Sequence, residues 1–379
     1  MALRLTGSID VSTNITSTHF SGSFSGSFPG DGSGLTGIDT DVFPYTGSAV
    51  ISGSLKVTGS VSFSTEITTV GAAVWSAGGA LLTARNSLAG AGTQTAGLAF
   101  GGYDGGYSSC TEEYNGATWG SGGALATARR SLAGAGTQTA GLAFGGYGGC
   151  VNTEEYNGAT WSGGGNLIKG RWGMGSAGTQ TAGLAFGGLL GCGLTRSTEE
   201  YNGSSWSTGA QLNIGRYYLG GAGIQTAALA IGGNFVVSCT EEYNGTTWSV
   251  VDPLATGRRL LAGAGTQNAG LAFGGRDGSS HFSCTEEYNG ASWSAGGALL
   301  TARNSLAGAG TQTPAIAIGG YDNNAVSCTE EYNGGTVSLT TTFDYSNSTG
   351  KTMIIPPITD PLILGALWNY RGTLIISSG

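Results

Sequence analysis

Apolar runs only four or five residues long, each closed by a Gly-Gly doublet, alternate with runs where acidic and aromatic residues stand side by side. The first such pair is Ala96-Gly-Leu-Ala-Phe-Gly-Gly102 and Cys110-Thr-Glu-Glu-Tyr-Asn-Gly116. Glu-Glu-Tyr-Asn-Gly recurs six times, starting at Glu112, Glu154, Glu199, Glu241, Glu286 and Glu330, with a period of about 44 residues. Such a period marks a repeat architecture. Each unit predicts four short strands. In the first unit the small residues of Ser87–Gln94 form an innermost strand, followed by Ala96–Gly102, Cys110–Gly116 and an outer strand ending at Trp119. Short strands broken by Gly-rich turns at regular spacing predict an all-β fold. A four-stranded sheet repeated at this period predicts a propeller blade rather than a helical solenoid.

The outer-strand Trp is present in five units, as Trp119, Trp161, Trp206, Trp248 and Trp293. The sixth unit has Val337 at that place, and a spare Trp segment with Trp75 lies before the first unit. The displacement predicts a ring: Ala72–Gly78 supplies the missing outer strand of the sixth blade, which removes exposed sheet edges. An Arg opens every blade (Arg85, Arg129, Arg171, Arg216, Arg258 and Arg303), nine residues before the Gln of its inner strand.

Taken in order, the strand ending in Gly-Gly, the Glu-Tyr segment, the Trp and the opening Arg resemble kelch repeats over roughly residues 70–337. The resemblance implies a six-bladed β-propeller closed by an N-terminal strand. Residues 1–69 and 338–379 do not carry the repeat. The N-terminal segment is rich in Ser, Thr and Gly, and Ile51, Leu55, Val57, Val61 and Phe63 fall on alternate positions, the period of strands with one buried face. With too few large apolar residues for a core of its own, it predicts a β-rich assembly arm that packs on another copy or another protein. The C-terminal segment predicts a hairpin, Ala366–Trp368 and Thr373–Ile376, after an irregular stretch marked by Pro356, Pro357 and Pro361.

Gly30–Ile38, Phe43–Ser60 and Gly365–Gly379, together with near-identical blades such as those sharing Gly-Thr-Gln-Thr-Ala-Gly-Leu-Ala-Phe-Gly-Gly, resemble virion structural proteins of tailed, particularly marine, bacteriophages. That resemblance implies a tail or head fibre, a tail component or a capsid decoration, assembled in the host cytoplasm and located in the virion. Its partners would be other virion proteins, through residues 1–69, further copies of the chain in a homo-oligomer, a trimer among the options, and a glycan of the host surface. A bacterial kelch protein-interaction module is the alternative, and a carbohydrate-active oxidase-like enzyme a third reading.

Composition narrows these. Of 379 residues 73 are Gly, and only 10% are charged. The net charge of -8 argues against nucleic acid, whose phosphates call for clustered Lys and Arg. The N-terminus lacks the pattern of a secretory signal, and no apolar run is long enough to span a bilayer. Four of the six Cys share one register, two positions before the Glu pair, which predicts reduced core-type thiols a blade apart rather than disulfides.

The paired carboxylates invite an acid–base reading. Adjacent strand residues such as Glu112 and Glu113 point to opposite faces, however, and cannot form one two-carboxylate site. Their recurrence in every blade predicts a structural role, with one Glu of each pair meeting the repeated Arg beside Tyr114 and its counterparts. Two imidazoles far apart in sequence, His19 and His281, do not make a transition-metal site. The expectation is therefore a chain that is not an enzyme and has no catalytic residues, metal or cofactor. Binding is expected where blades differ, in the loops after each Gly-Gly, since variable loops on a fixed scaffold are where binding residues usually sit. The candidates are Tyr103, Asp104, Tyr107, Tyr147, Arg196, Phe235, Arg276, Asp277, His281, Phe282, Tyr321, Asp322 and Asn323.

Overall fold

The structure, a computed structural model, describes residues 73–191 and 193–334, together with the strands Ala2–Leu3, Ala49–Val50, Ser60–Val70, Thr336–Ser346, Leu367–Tyr370 and Thr373–Ile376. Ile51, Leu55 and Val57, His19, Cys192 and the prolines at 356, 357 and 361 lie outside the described residues.

Six antiparallel four-stranded sheets make up a six-bladed β-propeller. In blade 1 the order is Ala89–Gly92, Gly97–Phe100, Thr111–Tyr114 and Trp119–Ser121. Blade 6 is composite. Ala307–Gly310, Pro314–Ile318 and Thr329–Asn333 are completed by Val74–Ala77, with Tyr332 opposite Trp75 and Asn333 opposite Val74. The displaced Trp thus closes the ring as its position in the sequence implies.

The small residues of the inner strands answer to crowding near the axis. A Cβ on Gly221 would lie 2.3 Å from the Ser176 carbonyl oxygen of the preceding blade, and one on Gly263 would lie 2.5 Å from that of Gly221. Glycine is what lets these backbones approach. The apolar core lies between blades. Each Trp packs on the second strand of the blade before it, as in Phe100–Trp161, Phe144–Trp206 and Phe273–Trp75, with ring centroids 4.9, 4.8 and 4.9 Å apart. Where that second strand ends in Ile231 or Ile318, the aliphatic side chain takes the place of the Phe.

Polar side chains repeat at every joint. Each Trp indole N–H donates to a Thr of the preceding blade, Trp161 to Thr111 and Trp75 to Thr285, both at 2.9 Å. Each Gln amide donates to two carbonyls of that blade, as Gln138 does to Gly97 (3.0 Å) and Tyr114 (2.7 Å). Each Tyr hydroxyl donates to the second Glu of the preceding pair, as Tyr156 does to Glu113, Tyr201 to Glu155 and Tyr114 to Glu331, all at 2.6 Å. The first Glu of each pair turns the other way, to the Arg that opens its own blade. Arg85–Glu112 at 3.1 Å, Arg129–Glu154 at 3.0 Å and Arg171–Glu199 at 3.3 Å recur as Arg216–Glu241, Arg258–Glu286 and Arg303–Glu330, all buried. The same carboxylates accept backbone N–H groups of the blade-to-blade connection, as Glu112 does from Leu82 at 2.6 Å.

The chain divides into two compact units, Val70–Thr336 and Met1–Thr69 with Val337–Gly379. In the second, Ser60–Val70 and Thr336–Ser346 form a two-stranded sheet, and Leu367–Tyr370 pairs antiparallel with Thr373–Ile376. The sequence reading treats the two ends as separate segments, whereas the strands flanking the ring pair with each other. Val61 and Phe63 belong to the alternation that marks the first as a strand, whereas the sequence reading expects none at Thr336–Ser346.

Candidate functional site

Four antiparallel strands per blade sort the connections onto two faces. Turns such as Thr93–Ala96 and Asn115–Thr118 share one face; the variable loops after Gly-Gly and the links between blades share the other. The chain enters and leaves the ring on the turn face, where Val74 pairs with Asn333 and the Gly334 N–H reaches the Thr313 carbonyl. The loop face is therefore opposite to both ends of the ring.

At the centre of the loop face opens a narrow axial channel of about 170 Å³. Its mouth is built from the second residue after each opening Arg: Ser87, Ser131, Gly173, Tyr218, Leu260 and Ser305. All six hold left-handed backbone, with φ between 53° and 61°. That turn aims each N–H at the carbonyl of the equivalent residue one blade back. Ser131 donates to Ser87, Gly173 to Ser131, Tyr218 to Gly173, Leu260 to Tyr218, Ser305 to Leu260 and Ser87 to Ser305, at 2.6–3.0 Å. Six backbone hydrogen bonds thus close a circle around the mouth.

The side chains around that circle are not alike. The residues just after each Arg are Asn86, Arg130, Trp172, Tyr217, Arg259 and Asn304. From blade 1 to blade 4 they join loop residues in a continuous aromatic arc. The Arg130 guanidinium lies over Tyr147 (4.4 Å), Tyr103 (5.1 Å) and Tyr107 (5.4 Å). Tyr107 meets Tyr147 edge-on at 6.1 Å, Tyr147 meets Trp172 at 5.1 Å, and Trp172 meets Tyr217 at 5.7 Å and Tyr218 at 5.5 Å. Such offset and edge contacts are the favoured arrangements of aromatic pairs. Tyr107 and Tyr147 remain exposed, while Trp172, Arg130, Tyr217 and Tyr218 are half-buried.

The other side of the mouth is polar. Asn86 and Asn304 accept from Ser87 and Ser305 at 2.9 and 2.7 Å, and His281 lies 5.9 Å from Tyr321. Arg259 pairs through its backbone with Arg276. Burial pushes the Tyr218 phenol above its ordinary pKa, helped by Tyr217 and opposed by the charges of Arg130 and Arg259. Among the described residues every Arg–carboxylate ion pair belongs to the six opening arginines. Arg130 and Arg259 have none, and each keeps a buried Nε without a hydrogen-bond partner.

Of the loop residues singled out from the sequence, the structure brings Tyr103, Tyr107 and Tyr147 together, and His281 with Tyr321. Others serve their own loops. Arg196 donates to the Leu212 carbonyl, Arg276 to the carbonyls of Asp277 and Gly278, and Asp104 and Asp322 accept turn N–H groups. Asp277 accepts the N–H groups of Ser280 and Ser279, which hold its carboxyl below the usual range. Asn323 sits at a turn with φ of 117°, Phe282 is half-buried, and Phe235 is 81% exposed, with no aromatic neighbour among the described residues. Sequence reasoning missed Arg130, Trp172, Tyr217, Tyr218 and Arg259. The signal was present: the two residues after each repeated Arg read Asn-Ser, Arg-Ser, Trp-Gly, Tyr-Tyr, Arg-Leu and Asn-Ser between nearly constant flanks.

Among the described residues no group of three His, Cys, Asp or Glu is placed to hold a metal ion. Comparison with protein-family models and with curated proteins finds no match for the chain.

Proposed function

We propose that this chain is a non-catalytic virion structural protein of a tailed bacteriophage, a kelch-like propeller that presents its loop face to glycans of the host surface. Residues 1–69 join it to other virion proteins and to further copies of the chain. One observation carries the reading: the blades differ mainly on the loop face, where an exposed aromatic arc collects, while the chain enters and leaves by the opposite face. A ring held from one side and varied on the other suits display. Aromatic side chains with a few fixed polar groups suit recognition of a small polar ligand, and fold alone does not decide between display and chemistry.

The test is immunogold labelling of purified phage particles, with binding of the purified protein to host envelopes measured alongside. Labelled particles and saturable envelope binding, weakened by Tyr147→Ala, are expected. Unlabelled particles would sink the virion assignment, and envelope binding indifferent to Tyr147 would sink the role of the arc.

A further inference from the structure

The two half-buried arginines at the channel mouth have no carboxylate partner among the described residues. Both Nε atoms are buried and without a hydrogen-bond partner. In a chain of net charge -8, they differ from Arg196 and Arg276 of the same face, which also lack a carboxylate partner but donate to loop carbonyls. Desolvating a charge without pairing it is costly. Arg130 offsets part of that cost through three tyrosine faces. Arg259 has no such partner.

The two cations flank one surface. Arg130 of blade 2 stacks on Tyr147 at one end, and Arg259 of blade 5 precedes Leu260, whose N–H donates to the Tyr218 carbonyl of blade 4 at the other. Trp172 and Tyr147 continue the surface from Tyr218 outward as ring faces and edges. Planar guanidinium groups present forked donors suited to a carboxylate. Beside them lie aromatic surfaces on which the C–H face of a pyranose can rest.

We infer that the channel mouth is a binding site for an acidic saccharide, whose carboxylates meet Arg130 and Arg259 while its rings lie on the Tyr147–Trp172–Tyr218 surface between them. This rests on the glycan-binding reading above and names the class of sugar. It also explains why the mouth departs from sixfold repetition at Arg130, Trp172, Tyr218 and Arg259 while the backbone circle beneath them does not.

The experiment is calorimetric titration of the full chain with tetragalacturonate and with its carboxyl-reduced, neutral counterpart. The acidic probe is expected to bind at least about tenfold tighter, the scale of a charge-assisted hydrogen bond. Arg259→Gln should cut that preference severalfold, and Tyr147→Ala should weaken both probes. Circular dichroism and melting of both variants check that the ring is intact. Equal binding of the two probes, or a preference undiminished by Arg259→Gln, overturns the inference. If the neutral probe binds equally well and Tyr147→Ala weakens it, the glycan reading stands and the acidic site falls. If neither probe binds, the acidic site falls, and the envelope assay then decides the glycan reading by itself.

Discussion

Arg171 illustrates how one side chain organises a blade. Its guanidinium, fully buried, pairs with Glu199 and donates to the carbonyls of Ser197 (3.0 Å) and Ala185 (3.2 Å). Burial pulls its pKa below the ordinary value, and Glu199 opposes that pull. Arg171→Met should cost about 3–5 kcal/mol, because it strands a buried carboxylate; denaturant unfolding monitored by Trp fluorescence measures it. The tyrosines of the joints give a pH signature. Burial and the bond to Glu raise Tyr156, Tyr201 and Tyr243 to about 12 from 10. A raised folded pKa means the unfolded chain loses its phenolic protons first. The stabilisation is therefore complete below pH 10 and is lost as the pH rises toward 12. Alkaline titration followed by tyrosinate absorbance and circular dichroism should show phenol ionisation coinciding with unfolding; ionisation of these tyrosines in an intact ring would contradict it. The opposed directions of Glu112 and Glu113 were readable from strand alternation alone. The partners of Gln138 and Thr111 were not, because spacing within a repeat says nothing about which groups meet across a joint.

The inner strands and the links feeding them set the ring's tolerances. Gly221→Ala should destabilise the protein by about 1–3 kcal/mol, the usual cost of overpacking, since the added methyl meets the Ser176 backbone. Gly120→Ala in an outer strand, with nothing within 4 Å, is the control and should be near neutral. Melting temperatures of the two variants decide. The left-handed residues at the channel mouth invite the opposite experiment. Ser131 holds φ of 53°, a conformation that costs a non-glycine residue about 1–2 kcal/mol. Blade 3 already has Gly173 there. Ser131→Gly should be neutral or stabilising by up to about 1 kcal/mol after the added freedom of the unfolded chain is counted, and a clear loss of stability would argue against strain at this position. Strand order and closure were legible because turn residues and the period are local signals. The circle of backbone bonds was not, since a left-handed Ser, Tyr or Leu leaves no mark in a sequence.

Closure makes the stability of the ring a shared property. Trp75 enters blade 6 from the far end of the repeats, donates to Thr285 of blade 5, and packs 4.9 Å from both Phe273 and Tyr332. Trp75→Ala should cost about 3–5 kcal/mol while keeping a single unfolding transition. Hydrogen exchange showing blade 6 opening alone, with blades 2 to 4 still protected, would argue against that coupling. The joints have a further consequence, in heredity rather than mechanics. Trp to Thr, Gln to carbonyl and Tyr to Glu recur at all six contacts, so a blade copied from one place into another meets the partners it left behind. Exchange between blades of near-identical amino-acid sequence can therefore replace, blade by blade, the side chains around the channel mouth without disturbing the contacts that hold the ring. A lineage built on this chain can vary its loop face while inheriting its scaffold unchanged.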